Sequence, residues 1–314
     1  MDQDTSPGIP NGWFAVGWST DVKHGEVKRI RYFEEELVLF RTRSGKARVL
    51  SAYCPHLGAH LGEGGRVSGE SVRCPFHGWE FDGESGGCSS IPYCERIPAK
   101  ARVRPWEVEE RNGMIFVWHH AEQKPPDWEV PEVTQLSDPD WSEPRTFEIE
   151  VPVHMQDMAE NNLDPVHFQV VHTMLEVPET KVSYGEDKRF MQAVSYSEQE
   201  TPFGTFQMEL LRDTWGIGLS SVESRGIPGA GLYMFSSTSP IDRHHTISRW
   251  ALTMTRNLVD TAGEEWLAGM TKGIYDDMRI WTNKIHRADP VLCEADKLLG
   301  EFRRWTKQFY SERA

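Results

Sequence analysis

Apolar residues follow different patterns in the two halves of this chain. From Trp13 to about Trp118 they come in short runs broken by turns, with candidate strands at Glu36–Thr42, Ala47–Tyr53, Ser71–Cys74 and Met114–Trp118. Ser44-Gly45 and Asn112-Gly113 lie between apolar segments and are hairpin-type turn signals. No helical periodicity competes there, so the first half reads as a small antiparallel β domain. Lys124 to Pro144 then holds five prolines, with Asp127, Asp138 and Asp140 among them. Proline at that density interrupts strands and helices alike, and the stretch reads as an ordered linker. Beyond it the types mix. Arg145–Val153 alternates as a strand does, and Met155–Thr173 is helical in character with a proline inside. Phe203–Leu211, Trp215–Val222, Gly231–Ser236 and Thr246–Met254 read as strands of an antiparallel sheet. Glu264 to about Ala288 and Glu294–Phe309 read as helices. Strands followed by a long helix packed on them form an α+β arrangement. The expected division is a β domain over residues 1–123, a linker over 124–144 and a second domain over 145–314.

At 314 residues the chain suits two cores better than one. Its hydrophobic content of 38% excludes a disordered chain. The formal charge, 34 − 48 = −14, repels nucleic acid and anionic membranes, so neither is an expected partner. Met1 to Asn11 is polar and lacks the basic and apolar regions of a signal peptide. No apolar run approaches the roughly 20 residues of a membrane span, and the chain reads as cytoplasmic. Its five cysteines, Cys54, Cys74, Cys88, Cys94 and Cys293, are too few and too scattered for a disulfide framework. They read as reduced thiols, some with a metal or catalytic use.

Two of them sit in matched loops. Cys54-x-His56 and, 17 residues later, Cys74-x-x-His77 offer two thiolates and two imidazoles, each loop with a glycine (Gly58, Gly78) where backbone comes close. This donor set suits a [2Fe–2S] centre in which one iron takes both sulfurs and the other both nitrogens. Structural zinc also accepts two Cys and two His, but the one-residue gap of Cys54-x-His56 fits zinc loops poorly.

A second constellation lies after the linker. His167 and His172, with a carboxylate, make a 2-His-1-carboxylate triad, which leaves coordination positions open for O₂. On an ideal helix, residues five apart point about 140° from each other, so a helix end or local widening is required. Asp164-Pro165 marks one place for such a break. The carboxylate comes from the far helix. Trp266, Met270, Ile274, Asp277, Trp281 and Ile285 follow at spacings of three and four, which puts Asp277 amid an apolar face. An ionised group there requires a metal or a partner such as a core arginine. Asp276 points about 100° away, toward solvent. Asp164, followed by Pro165, also reads as an ordinary N-cap. His24, His60, His119, His120, His154, His244, His245 and His286 show no ligand constellation in the sequence.

Cys54-Pro55-His56-Leu57-Gly58 and Cys74-Pro75-Phe76-His77-Gly78-Trp79 resemble the cluster loops of the Rieske family. Respiratory members carry an extra cysteine in each loop and a Ser and Tyr bonding the sulfurs. The matching positions here hold Ala59, Phe76, Trp79 and Phe81, which resembles the low-potential type that feeds an oxygenase. Asn161-x-x-Asp164-x-x-His167-x-x-x-x-His172 resembles the iron motif of the Rieske oxygenases, in which the Asp bridges a neighbouring subunit's cluster to the iron. Cys74–Asp82, Ile91-Pro92-Tyr93, Asp277–Trp281, Arg303-Arg304-Trp305 and Gln308-Phe309-Tyr310 resemble the branch of 3-ketosteroid 9α-hydroxylase oxygenase components and cholesterol 7-desaturases. The resemblance implies a helix-grip-like second domain around Fe(II) and a head-to-tail trimer that shortens the path between the two metals. It also implies a steroid or sterol substrate, O₂, and a separate NAD(P)H-dependent flavin/iron–sulfur reductase or a ferredoxin. An aromatic or other polycyclic substrate is the alternative. The resemblance assigns no substrate-contacting residues.

Overall fold

The computed structural model describes residues 6–201 and 204–311, without the side chains of residues 199–201, 262 and 266. Phe203, the expected start of one strand, and the side chain of Trp266, on the expected apolar face, lie outside the described residues. The chain divides into two compact units, Trp13–Pro131 and Met1–Gly12 with Glu132–Ala314.

The first unit is all β. Its strands are β1 (Gly12–Trp18), β2 (Val27–Tyr32), β3 (Glu35–Arg41), β4 (Ala47–Ser51), β5 (Arg66–Ser68), β6 (Ser71–Arg73), β7 (Glu80–Asp82), β8 (Cys88–Ser90), β9 (Pro105–Trp106), β10 (Val108–Arg111) and β11 (Met114–His119). They form three sheets, ordered β2-β3-β4-β9, β5-β6-β7-β8 and β1-β11-β10. In β3 the run Leu37-Val38-Leu39-Phe40 is buried on both faces, so its sequence is continuous rather than alternating. Both expected hairpins form. Ser44-Gly45 turns β3 into β4, and Asn112-Gly113, both at positive φ, turns β10 into β11.

The second unit is α+β as expected, with helices beside one antiparallel sheet of seven strands. These are β12 (Arg145–Val151), β13 (Glu179–Tyr184), β14 (Phe190–Thr201), β15 (Gly204–Trp215), β16 (Leu219–Arg225), β17 (Leu232–Pro240) and β18 (Thr246–Met254), in the order β12-β18-β17-β16-β15-β14-β13. Between β12 and β13 the chain makes α1 (Met155–Ala159), a 3₁₀ turn over Glu160–Leu163 and α2 (Val166–Val170). After β18 come α3 (Arg256–Trp281) and α4 (Lys297–Thr306). Ile274 and Trp281 of α3 pack with Met158 of α1 on Ile149, Val151, Met234 and Leu252 of the sheet. That layer is where the site lies.

Three expectations are corrected. β13 and β14 are strands the sequence did not announce; every residue of β13 is exposed or half-exposed at the sheet edge, and the inward positions of β14 include Ala193 and Ser195, too small or too polar to mark an apolar face. α3 begins eight residues earlier than expected, because Leu258 can pack on Leu232 and Met254 as soon as β18 ends. It also stops at Trp281, where Thr282 Oγ1 and Asn283 Nδ2 donate to the carbonyls of Met278 and Arg279. Ile285 therefore leaves the apolar face and is 64% exposed.

α4 holds its side of this unit through Phe302, fully buried, whose ring lies 5.7 Å from that of Trp305. Phe302→Ala should lower stability by about 3–5 kcal/mol, read by denaturant titration of the second unit. A loss below about 1 kcal/mol would mean that α4 does not anchor this core.

Candidate metal centres

The two cysteine loops are built alike. Cys54 follows β4 and Cys74 follows β6, and each turn closes with the glycine N–H donating back to the cysteine carbonyl, Gly58 at 2.9 Å and Gly78 at 3.1 Å. Both glycines sit at φ near +75°, a conformation that costs an L side chain strain. The turns bring the His56 and His77 rings to 4.6 Å between centroids, and Trp79 stacks on His56 at 4.6 Å with 8° between planes. Cys54 and Cys74 are both buried and unbridged. Burial, with the Cys74 thiol alongside, pushes the Cys54 thiol up to about 11. His56 Nδ1 is buried with no hydrogen-bond partner. A buried nitrogen without a partner beside two sheltered thiols is the donor chemistry a two-iron cluster satisfies, so these residues fit the group.

The second donor set is assembled from three places. His167 lies on α2, His172 just beyond its end, and Asp277 on α3. One donor atom from each falls within 4.8 Å of the others. His172 Nε2 lies 3.4 Å from Asp277 Oδ1, and the two imidazoles are 5.1 Å apart between centroids and 74° out of plane. The interruption that allows this is the end of α2 at Val170, before His172; the expected break at Asp164 does form, extended at φ −104° and ψ 93°, but it precedes His167 and starts α2 instead of parting the two histidines. Burial lowers the His167 pKa, against the pull of the Asp277 carboxylate, so the neutral ligand form is favoured. His167 Nδ1–H donates to the carbonyl of Asp164, which leaves Nε2 for a metal. Two imidazoles and one carboxylate on the wall of a shared cavity fit a mononuclear iron. Asp276 instead pairs with Lys272 one turn away.

Asp164 does cap α2. Its Oδ1 accepts from the backbone N–H of Val166 (3.0 Å) and His167 (3.2 Å). Its side chain remains 35% exposed, with Oδ2 4.0 Å from His167 Nδ1.

The donor triad opens on a cavity of about 530 Å³. Met158, Ile217, Met234, Trp250, Ile274 and Trp281 give it an apolar wall. Arg212 also lines it, and sequence reasoning missed this residue. Its guanidinium is buried 5.0 Å above the Phe168 ring, its Nη2 donates to Ser195 Oγ, and burial pushes its pKa down to about 10. An arginine in an alternating strand usually faces solvent, so only the inward register of β15 could reveal it.

A further group was not legible either. His154, Asp157 and His286, which looked unconnected in sequence, bring donor atoms within 4.8 Å. Their bonds argue against a metal. Lys284 Nζ lies 2.8 Å from Asp157 Oδ1, His286 Nδ1 lies 2.9 Å from Oδ2, and His154 Nδ1 accepts from Gln156 N–H. Burial first, then His286, pushes His154 down to about 4.

Asp277→Ala should abolish turnover and strip the mononuclear iron, with the cluster's visible absorbance intact; Asp276→Ala should keep both. Iron analysis checks this, and the reverse pattern would refute the assignment by helical face. Cys54→Ser and His77→Ala should each abolish the electron paramagnetic resonance signal of the reduced cluster, and a colourless protein with stoichiometric zinc would overturn the cluster altogether.

Residues 12–104 match the family described as Rieske [2Fe-2S] domain, and residues 117–310 match the 3-ketosteroid 9alpha-hydroxylase C-terminal domain. The chain is 31% identical to cholesterol 7-desaturase nvd 1 of Ciona intestinalis, over 99% of this chain and 71% of that protein. It is 30% identical to the probable 3-ketosteroid-9-alpha-monooxygenase, oxygenase component, of Rhodococcus rhodochrous, over 95% and 79%. The Pseudomonas putida CBB5 NdmA QL mutant with caffeine shares the fold at a TM-score of 0.78 and 22% identity, over 94% and 89%. Dicamba monooxygenase bound to dicamba does so at 0.76 and 18%, over 97% and 98%. With two donor sets on two units and near-complete alignment to these relatives, the chain belongs to the Rieske non-haem iron oxygenases, in the branch of 3-ketosteroid 9α-hydroxylases and cholesterol 7-desaturases, an oxidoreductase whose cofactors are a [2Fe–2S] cluster and a mononuclear iron.

Proposed function

We propose that this chain is a terminal oxygenase component that oxidises a steroid or sterol, by hydroxylation, desaturation or oxidative demethylation. Cys54, His56, Cys74 and His77 hold its cluster, and His167, His172 and Asp277 hold its iron. The observation that carries the reading is the 530 Å³ cavity, largely hydrocarbon-walled, with the donor triad set in its wall. Its size is that of a small-molecule site, roughly 300–1,000 Å³. The relatives named for 3-ketosteroid and cholesterol support the substrate class. Electrons come from a separate NAD(P)H-dependent reductase or ferredoxin, as the phrase "oxygenase component" in the Rhodococcus relative implies. Among the described residues no helix is long and apolar enough to cross a membrane, and all five cysteines are free, in keeping with a cytoplasmic setting.

Bound in these donor sets, the cluster supplies single electrons and the iron a place where O₂ is activated. The chain's own residues do the rest. Met158, Met234, Trp250 and Trp281 present hydrocarbon and ring faces to a fused-ring substrate and keep water out. Asn162, held by Thr214 Oγ1 at 3.4 Å, and Ser236 place polar groups in the same wall. The Asp164 carbonyl fixes the tautomer of His167. The exposed face of Asp164 accepts a hydrogen bond from His56 or His77 of a neighbouring copy in a head-to-tail trimer. One feature favours a second reading, an aromatic or other polycyclic acid: the buried Arg212 cation in the cavity wall.

Incubation with mixed sterols, 3-ketosteroids and aromatic acids, NADH and a surrogate reductase should give an oxidised steroid or sterol by mass spectrometry. Product from an aromatic acid alone would overturn the substrate class. Asp164→Asn, which can still cap α2, should fold and keep both metals, yet slow single-turnover oxidation of the reduced cluster about 10–100-fold. A wild-type rate would leave Asp164 as a cap only.

A further inference from the structure

We infer that Lys284, Arg303 and Tyr310 are positioning residues for the iron site, acting through α1 and the turn after it. The inference rests on the assignment of iron to His167, His172 and Asp277.

α1 has five residues, too few to hold a helical shape by itself, and all five are buried. Between α1 and the turn after it the chain buries three polar side chains, Gln156, Asp157 and Glu160. Asp157 and Glu160 are three apart, so they lie on one face. Each meets a partner from beyond the end of α3. Asp157 takes Lys284 and His286. Glu160 takes Arg303 on both oxygens, Nε to Oε1 at 2.8 Å and Nη2 to Oε2 at 3.1 Å. Gln156 Oε1 accepts from the Tyr310 hydroxyl at 3.0 Å, and its Nε2 donates to Glu160 Oε1 at 3.3 Å. The partners stand 129, 143 and 154 residues along the chain from the groups they hold.

Hydrocarbon of similar volume commonly stabilises such a place as well as a buried ion pair does, because two charges must be desolvated. What ion pairs and hydrogen bonds add is direction. The segment they orient is the one that matters for the site: Met158, Ala159, Asn161 and Asn162 line the cavity, and Asp164 and His167 follow at once. The chain's Arg303-Arg304-Trp305 and Gln308-Phe309-Tyr310 motifs thereby acquire a role at the iron, though neither touches it.

The holoenzyme tests this with Glu160→Leu/Arg303→Met, which replaces the pair by hydrocarbon, and Tyr310→Phe, which removes one hydroxyl. The readouts are melting temperature, cluster absorbance and the rate at which a colorimetric chelator strips mononuclear Fe(II). The double variant should melt near wild type and keep its cluster, yet lose Fe(II) about tenfold faster or more. Tyr310→Phe should shift the rate in the same direction by less. If either variant folds and holds Fe(II) as wild type does, the contacts are structural only and the inference fails. Should the double variant fail to fold, Tyr310→Phe decides. Asp277→Ala serves as the control on the iron assignment: if it retains iron at the wild-type rate, that assignment fails, independently of the clamp.

Discussion

Two histidines five residues apart can share a metal only where the chain stops being a regular helix between them. Much of the second unit is arranged around that constraint. The five-residue α2, capped by Asp164 before His167, ends at Val170, between the two, in time for His172 to turn back toward His167. So short a helix cannot orient a ligand alone. Its support comes from outside: the Asp164 carbonyl on His167, Arg212 over the Phe168 ring, and Asp277 from α3 alongside His172.

The second constraint is electrostatic. The unit buries an unusual set of ionisable groups around an apolar cavity, and their ways of tolerating burial differ. Against burial, His286 and Lys284 hold the Asp157 carboxyl below its usual range, and Arg303 pairs with Glu160. His154 and His167 are driven toward the neutral form by burial. Burial disfavours the charge on Arg212, against the pull of Asp164, and its guanidinium donates to Ser195 Oγ. In the first unit Cys54 is pushed the other way, its thiol form favoured until something takes the charge. At both donor sets, then, groups are held in a dry setting where a metal relieves what water cannot.

Local sequence determined the features that depend on a few neighbouring residues. The matched Cys-x-His-x-Gly and Cys-x-x-His-Gly turns, the Asn112-Gly113 hairpin and the break at Asp164-Pro165 all follow from backbone preferences spanning at most five residues. The apolar spacing around Asp277 was legible because Ile274 and Trp281 do pack on the sheet. Tertiary structure decided what spans longer distances. β13 forms at the sheet edge with no buried residue, and β14 beside it turns Met191, Ala193 and Ser195 inward, a face in which small and polar residues blur the apolar alternation. The extent of α3 was settled by Leu258 at one end and by the polar side chains of Thr282 and Asn283 at the other, so Ile285 left the face its spacing had assigned. Arg212 faces inward because of the register of β15, and His286 finds Asp157 across 129 residues. Arg212 and Asp157 carry no such local signal, since the partner of each is chosen by the fold and not by its neighbours in the chain.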